Sequence, residues 1–417
     1  MSRPHEADVV VAGAGPVGLM TALMLADRGV AVEVVDQEPQ GGLHDFALTL
    51  HPEALRLLDD VGVASALIDR GVKVDTVALY GPDGRKAELR IDKLDGDFPF
   101  LLVLPQGTLD DVLERRLAQR DVRVRWDHRL AAVEPAADRV GLTIEKLELE
   151  TGGYAVQTTF YVVGKVTETR ARFVVGADGF HSIVRRRVGL DMVPAGEALT
   201  YAAIEYATTD GPGGQGCLIL GDHGVDAFWP LPNGGGRWSV ALPATPAAAQ
   251  REHLRVQIGH RAYPHVKEER VHAMLRARAP WFDGMVATSG RSMSVRFERA
   301  MASRFGAVRD WIVGDAGHVT GPVGGHSVNV GLREAHDLGS RLARVLGGAS
   351  TSLLDAYAAE RHAEWQKLLG VTAAITPGEG ASAWARGQAA RLLPCLPGSG
   401  KSLDALAAQL GLTIGPR

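Results

Sequence analysis

The spacing of apolar side chains changes repeatedly along the chain, and each change marks the start or end of an element. Val9, Val10, Val11 and Ala12 form an unbroken run of the length of a buried strand. Residues 19–28 then read as a helix closed by Gly29, and a second apolar run over 30–35 ends at Asp36. Residues 41–67 read as a loop and then a helix, with Leu55, Leu57, Leu58 and Val61 as its core side. Over 74–91, two strands are joined at Gly81-Pro82-Asp83-Gly84, a hairpin signal. A short run at 101–104 leads to Gln106 and a helix over 108–120. Short strands from 122 to 163 then carry the alternating charges of an exposed antiparallel ribbon.

Phe173-Val174-Val175 restores the buried-strand pattern just before Asp178-Gly179. Short strands dominate from 189 to 243, helices are expected near 247–259 and 267–278, and a strand at 292–299 precedes another buried run, Trp311-Ile312-Val313. Beyond it the period becomes helical. Val328, Leu332, Ala335, Leu338, Leu342 and Val345 recur at three and four residues, with Ser327 as the expected N-cap. A helix over 353–371 follows, and after Pro377 periodicity is weak until 403–410. This order predicts an α/β protein: a Rossmann-like, three-layer domain with an inserted, mostly antiparallel β-sheet and C-terminal helices. The expected division gives 1–73, 101–188 and 300–371 to the dinucleotide-binding domain, 74–100 and 189–299 to the inserted sheet, and 372–417 to a short helical tail.

The turn after the first strand reads Gly13-Ala14-Gly15-Pro16-Val17-Gly18, a G-x-G-x-x-G between strand and helix, with acidic Asp36 23 positions after Gly13. Gly13 permits the tight turn, Gly15 lets a pyrophosphate approach the helix N-terminus, Gly18 lets helix and strand pack closely, and Asp36 accepts from ribose hydroxyls. Two other matches lack that context: Gly211-Pro212-Gly213-Gly214-Gln215-Gly216 runs into strands, and Gly400-Lys401-Ser402 has Cys395 where a P-loop begins with glycine. The late segment offers a second cradle, an acidic turn at Gly314-Asp315, a loop through Gly321, Pro322, Gly324 and Gly325, and a helix start. Its glycines admit a flat ligand close to the backbone, and Pro322 fixes the loop's approach. Unpaired N–H groups at the helix start are worth ~0.3–1 kcal/mol, and up to ~2 when partly buried, to an anionic atom such as that of a reduced flavin. Asp178, at the carboxyl end of its strand, stands where open α/β sheets grip ligands, and Arg185, Arg186 and Arg187 offer phosphate contacts. The inserted sheet is the expected substrate wall, with Phe228, Trp229 and Pro230 as its candidates.

Composition narrows the classes. At 417 residues the chain is long for one core, so two packed domains are expected. A net charge of −4 argues against nucleic acid, no apolar run reaches the ~18 residues of a membrane span, and the start lacks a signal-peptide pattern. Cys217 and Cys395 are too few and too far apart for a disulfide framework. A cytoplasmic monomer or homodimer, without membrane or nucleic-acid partner, is expected. Paired carboxylates, a nucleophile elbow and clustered metal ligands are missing, and no metal is expected. His318 and His326 are expected to bond flavin or backbone, whereas His44, His51 and His223 have the chemistry of a general base but no placement.

Three motifs in this order, GAGPVG with Asp36, GADGFHSIVR at 176–185 and GDAGHVTGPVGGHSVN at 314–329, resemble the single-component (class A) flavin-dependent aromatic hydroxylases, similar to para-hydroxybenzoate hydroxylase. The resemblance spans residues 5 to about 371. It implies tightly but non-covalently bound FAD, with Gly13, Gly15, Pro16, Val17, Gly18 and Asp36 around its ADP half. Gln106 would touch the ribityl side, Asp178 belongs to a motif shared with NAD(P)H, and Asp315 would hold ribityl or pyrophosphate oxygens. Pro322, with Gly324 and Gly325, would lie beside the ring's reactive edge, and the amides of Val328 and Asn329 would face its N1 and O2. The reaction implied uses NADPH or NADH and O2 to insert one oxygen, through a C4a-hydroperoxyflavin, into an aromatic or polyketide-like secondary metabolite. The chain departs from the family in lacking an Arg in the 41–52 loop, where Asp45 and Phe46 stand, and in carrying His326-Ser327 where Gln-Gly or Lys-Gly is usual. A flavin halogenase or reductase of the same fold, or a non-catalytic FAD-binding protein, is the alternative. Trp229-Pro230-Leu231-Pro232 does not match a halogenase's Trp-x-Trp-x-Ile-Pro.

Overall fold

The computed structural model describes residues 5–41, 49–136, 138–152, 158–207, 213–232, 234–243, 255–258, 261–282 and 287–417. Strand His5–Ala12 is its axis. Val9, Val10 and Val11 are fully buried, which requires cover on both faces of the sheet. Val32–Val35 pairs with the first strand in parallel on one side and Thr158–Gly176 on the other. Val124–Arg125 and Asp310–Ile312 extend the sheet outward, again in parallel. Ala12 is level with Val35 and Gly176, and Gly176 with Ile312, so four strand ends stop side by side.

Helix Pro16–Ala26 packs on this sheet and against the late helix His326–Leu346. The approach is close because Gly331 and Gly339 face Val17 and Met24. A Cβ on Gly331 would stand 2.7 Å from Val17 Cγ2, and one on Gly339 2.7 Å from Met24 Cβ. The fold is the α/β arrangement expected, with a seven-stranded inserted sheet in the order Ala287–Phe297, Leu199–Ala207, Gly235–Leu242, Gly224–Pro230, Gly216–Gly221, Thr76–Gly81, Gly84–Arg90. All neighbours in it are antiparallel except Gly216–Gly221 with Thr76–Gly81. One face joins the main core, and the other closes a second core with helix Glu268–Arg278.

Several expectations change. The ribbon is made of long strands, Val140–Gly152 and Thr158–Gly176, and the second runs unbroken from the ribbon into the central sheet. Residues 255–258, expected in a helix, pair as a strand with Arg261–Pro264; the rest of the 247–259 reading largely lies outside the described residues. The C-terminal stretch is more than a helical tail: Ala373–Pro377 and Leu412–Pro416 form an antiparallel ribbon around helices Ala383–Leu392 and Gly400–Gln409. The late helix begins at His326 with Gly325 as N-cap, not at Ser327, because Gly325 takes the left-handed conformation (φ 65°) that turns the loop into the helix.

Two glycine substitutions separate packing from chain entropy. Gly331→Val forces the two helices apart and should lower stability by about 1–3 kcal/mol. Gly387→Ala, inside helix Ala383–Leu392 with nothing within 4 Å of the added methyl, should raise it by about 0.5–1 kcal/mol. Thermal midpoints of the two variants that moved in the same direction would contradict this packing.

Candidate functional site at the carboxyl edge of the central sheet

The first turn is built by steric need. Gly13 has φ 103°, and a Cβ there would meet Ala177 O at 2.1 Å; one on Gly18 would meet Gly13 O at 2.0 Å. Gly15 differs, since a Cβ there would meet nothing within 4 Å, so open space lies before the helix that starts at Pro16. No side chain caps that helix, which leaves its first N–H groups facing the space. Asp36 Oδ2 accepts from Ala14 N at 2.6 Å and Oδ1 from Glu38 N at 2.8 Å. The carboxylate thus braces the glycine turn, and its four lone-pair sites allow it to accept from a sugar as well.

The middle turn adjoins the first through Ala177 N–H, which donates to Ala12 O at 2.7 Å. Asp178 Oδ2 accepts from Ile183 N at 2.7 Å and Val184 N at 3.4 Å, while Oδ1 is buried without a partner, and burial raises its carboxyl pKa. Arg185 is not a phosphate contact: its buried guanidinium donates to Ala316 O at 2.8 Å and Phe180 O at 2.6 Å, tying the middle turn to the late one. Arg186 donates to Ser182 O on its own helix, and Arg187 reaches Ala131 O at 3.5 Å.

In the late turn, Gly314 has φ 61° and sits against Val17, Asp315 is exposed, and Gly321 and Pro322 are half-buried. No side chain caps the late helix. Ser327 Oγ instead lies 3.3 Å from Thr320 Oγ1 across the loop. Asn329 clamps the helix start to the segment before helix Pro52–Asp60: its Nδ2 donates to Thr49 O and Gly325 O at 2.7 Å each, and its Oδ1 accepts from His51 N at 2.7 Å. His51 Nε2 lies 3.0 Å from Gly324 O, and a Cβ on Gly324 would meet Pro394 O at 2.5 Å, so the loop is held from two sides. His318 bonds neither backbone nor an open cleft, as its Nε2 faces the buried carboxylate of Glu334 at 2.9 Å. His44, Asp45 and Phe46 lie outside the described residues. His223 pairs with buried Asp226 at 2.9 Å.

Gln106 opens helix Gln106–Ala118, which packs on the first helix, and its Nε2 donates to Asp110 Oδ2 at 3.3 Å. The three candidate wall residues divide by strand alternation. Phe228 points into the second core against Trp238 and Phe282, away from the domain built on the central sheet, and does not line the site. Trp229 joins the main core on the opposite face, and Pro230 is half-buried. Tyr201, not singled out in the sequence, lies beside the loop: a Cβ on Gly321 would stand 3.9 Å from its ring. Burial raises its phenol pKa.

Residues 6–372 match the family model described as FAD binding domain. The chain belongs to the FAD-binding domain family. It is 31% identical over 379 residues to 6-methylpretetramide 4-monooxygenase of Streptomyces rimosus, covering 89% of this chain and 63% of that protein. It is 32% identical over 381 residues to the aromatic compound monooxygenase YhjG of Bacillus subtilis, covering 90% and 69%. The chain therefore spans about two thirds of the length of these relatives. Among solved structures, OxyS anhydrotetracycline hydroxylase from Streptomyces rimosus superposes with a TM-score of 0.65 at 26% identity, covering 88% of this chain and 68% of that one. The p-nitrophenol 4-monooxygenase PnpA from Pseudomonas putida shares the fold with a TM-score of 0.68 at 24% identity, covering 88% and 86%. Three of these four proteins are monooxygenases by name, and OxyS is a hydroxylase by name. Among the described residues, no group of His, Cys, Asp and Glu has the makings of a metal site, and no helix is long and apolar enough to cross a membrane.

Burial lowers the pKa of His51 from 6.5 to about 3, with His326 adding to the effect, and burial lowers that of His326 to about 4. Both groups stay neutral in the folded chain while the unfolded chain takes up protons below 6.5. Their contribution is therefore intact above that pH and is lost as pH falls toward 4, at up to ~1.4 kcal/mol per pH unit for each histidine. Denaturant midpoints measured from pH 7.5 downward should fall steeply below about 6.5, and His326→Gln should flatten the slope by about one proton.

Proposed function

We propose that this chain is an FAD-dependent monooxygenase that uses NADPH or NADH and O2 to insert one oxygen atom, as a hydroxyl, into an aromatic or polyketide-like small molecule. The observation that carries the reading is the convergence of three turns and two uncapped helix N-termini on one sheet edge. This occurs in a member of the FAD-binding domain family whose named relatives are monooxygenases. The open space before Gly15 and the bare N–H groups behind it suit a pyrophosphate, and the second uncapped helix suits the electron-rich side of a flavin ring.

In this reading Gly13, Gly15, Pro16, Val17, Gly18 and Asp36 hold the ADP half of FAD, and Gln106, Asp178 and Asp315 its central part. Pro322, Gly324 and Gly325 bear on the ring. The first-turn amides of His326, Ser327 and Val328 supply its donors, while Asn329 serves through its side-chain clamp on Thr49 and His51. When bound, FAD supplies the redox chemistry with O2. The protein orients ring and substrate and excludes water, with Tyr201, Trp229 and Pro230 on the wall formed by the inserted sheet. The same reading makes it a cytoplasmic monomer or homodimer with no nucleic-acid or membrane partner.

Purified protein should be yellow and should oxidise NADPH or NADH faster when a suitable phenol or polycyclic aromatic is added, with a product one oxygen heavier by mass spectrometry. Cofactor oxidation without an oxygenated product from any member of an aromatic panel would overturn the assignment. Gly15→Val tests the pyrophosphate position separately. Its side chain enters empty space, so the thermal midpoint of the apoprotein should stay near wild type while FAD affinity falls by about ten-fold or more.

A further inference from the structure

Glu334 lies inside the late helix and is completely buried, between Val330 and Leu338 on the same helix face. A carboxylate survives there only if every oxygen is satisfied. Oε2 accepts from Gly314 N at 2.8 Å and from His318 Nε2 at 2.9 Å, and Oε1 accepts from Trp365 Nε1 at 2.7 Å. Because an ionised carboxylate only accepts, His318 donates through Nε2. Its Nδ1 is buried and without a partner. The Trp365 indole lies flat on the imidazole, with centroids 3.7 Å apart and planes 19° apart. Burial pushes the Glu334 carboxyl up, but His318 with the three hydrogen bonds outweighs it and holds the group below its ordinary value.

The three donors come from three separate segments, the turn at Gly314, the short strand His318–Val319 and helix Ser352–Leu368. An apolar side chain would fill the same volume but leave the Gly314 and Trp365 N–H groups without acceptors. Gly314 directly precedes Asp315, and the turn is closed by Gly317 N donating to Gly314 O at 2.7 Å and held by Arg185 on Ala316 O at 2.8 Å. Glu334 stands on the same helix whose uncapped N-terminus faces the proposed flavin ring. The carboxylate therefore fixes how far the acidic turn stands from the helix start.

We propose that Glu334 is a positioning residue of the FAD site, setting the turn that carries Asp315 against the helix that begins at His326; this rests on the placement of FAD proposed above. The test uses full-length apoprotein titrated with FAD, following flavin fluorescence quenching and the absorption envelope of the bound flavin, with thermal midpoints measured in parallel. Glu334→Gln is isosteric but turns an NH2 toward one of the donors. It should weaken FAD binding by about ten-fold or more and shift the bound-flavin spectrum. Trp365→Phe keeps the ring stack and removes a single donor, so it should cost about two- to five-fold. Leu342→Ala, buried two turns further along the same helix, should lower the thermal midpoint while leaving FAD affinity within about two-fold of wild type.

Wild-type affinity and spectrum in Glu334→Gln would overturn the role, as would an equal loss of affinity in Leu342→Ala at matched thermal destabilisation. If Glu334→Gln yields no folded apoprotein, Trp365→Phe against Leu342→Ala decides by the same criteria. A wild-type chain that takes up no FAD would overturn the placement of the cofactor, and this role with it. Wild-type uptake with unaffected variants would overturn the role of Glu334 alone.

Discussion

The parallel pairing of strand His5–Ala12 on both of its edges is the constraint from which the site follows. In a parallel sheet every strand leaves in the same direction, so the turns after Ala12, Val35, Gly176 and Ile312 emerge on one edge whatever their distance in sequence. An antiparallel neighbour would have sent one of them to the opposite edge. The requirement is strict enough to be written in side-chain volume. Gly13 and Gly18 have no room for a methyl group, and the full burial of Val9 to Val11 reflects cover on both faces of the sheet.

That strictness explains what was legible in the sequence. A position where only glycine fits announces itself, so the first turn, its strand and its helix were readable from residues 9–36 alone. The late helix was readable because its apolar stripe keeps one period from Val328 to Val345. What escaped were choices made by distant partners. Alternation says that Phe228 and Trp229 face opposite ways but not which of them looks toward the flavin-binding domain. That depends on helix Glu268–Arg278 covering the Phe228 side. Ser327 has the chemistry of an N-cap, yet the left-handed Gly325 fixed the boundary, and the serine hydroxyl turned to Thr320. Arg185 looked like a phosphate ligand because nothing local reveals that Ala316 O lies within its reach.

One signal was present and unused. Glu334 sits four residues after Val330 and four before Leu338, both fully buried, so it is a charged residue on an apolar line of the helix. Such an interruption signals a buried polar partner set rather than a solvated face. The inserted sheet shows the same logic at Asp226, which is fully buried and held by Arg278, His223 and Ala241 N–H. In both places the polar group joins elements that hydrophobic packing alone would bring together but not align.

The Asn329 clamp carries a temporal consequence. Its partners Thr49 and His51 precede it by 280 and 278 positions. A growing polypeptide therefore makes Thr49 and His51 long before the asparagine that binds them. Until Asn329 is synthesised, the Thr49 carbonyl and the His51 amide wait for that side chain, and the start of the late helix has nothing to hold it against the segment before helix Pro52–Asp60.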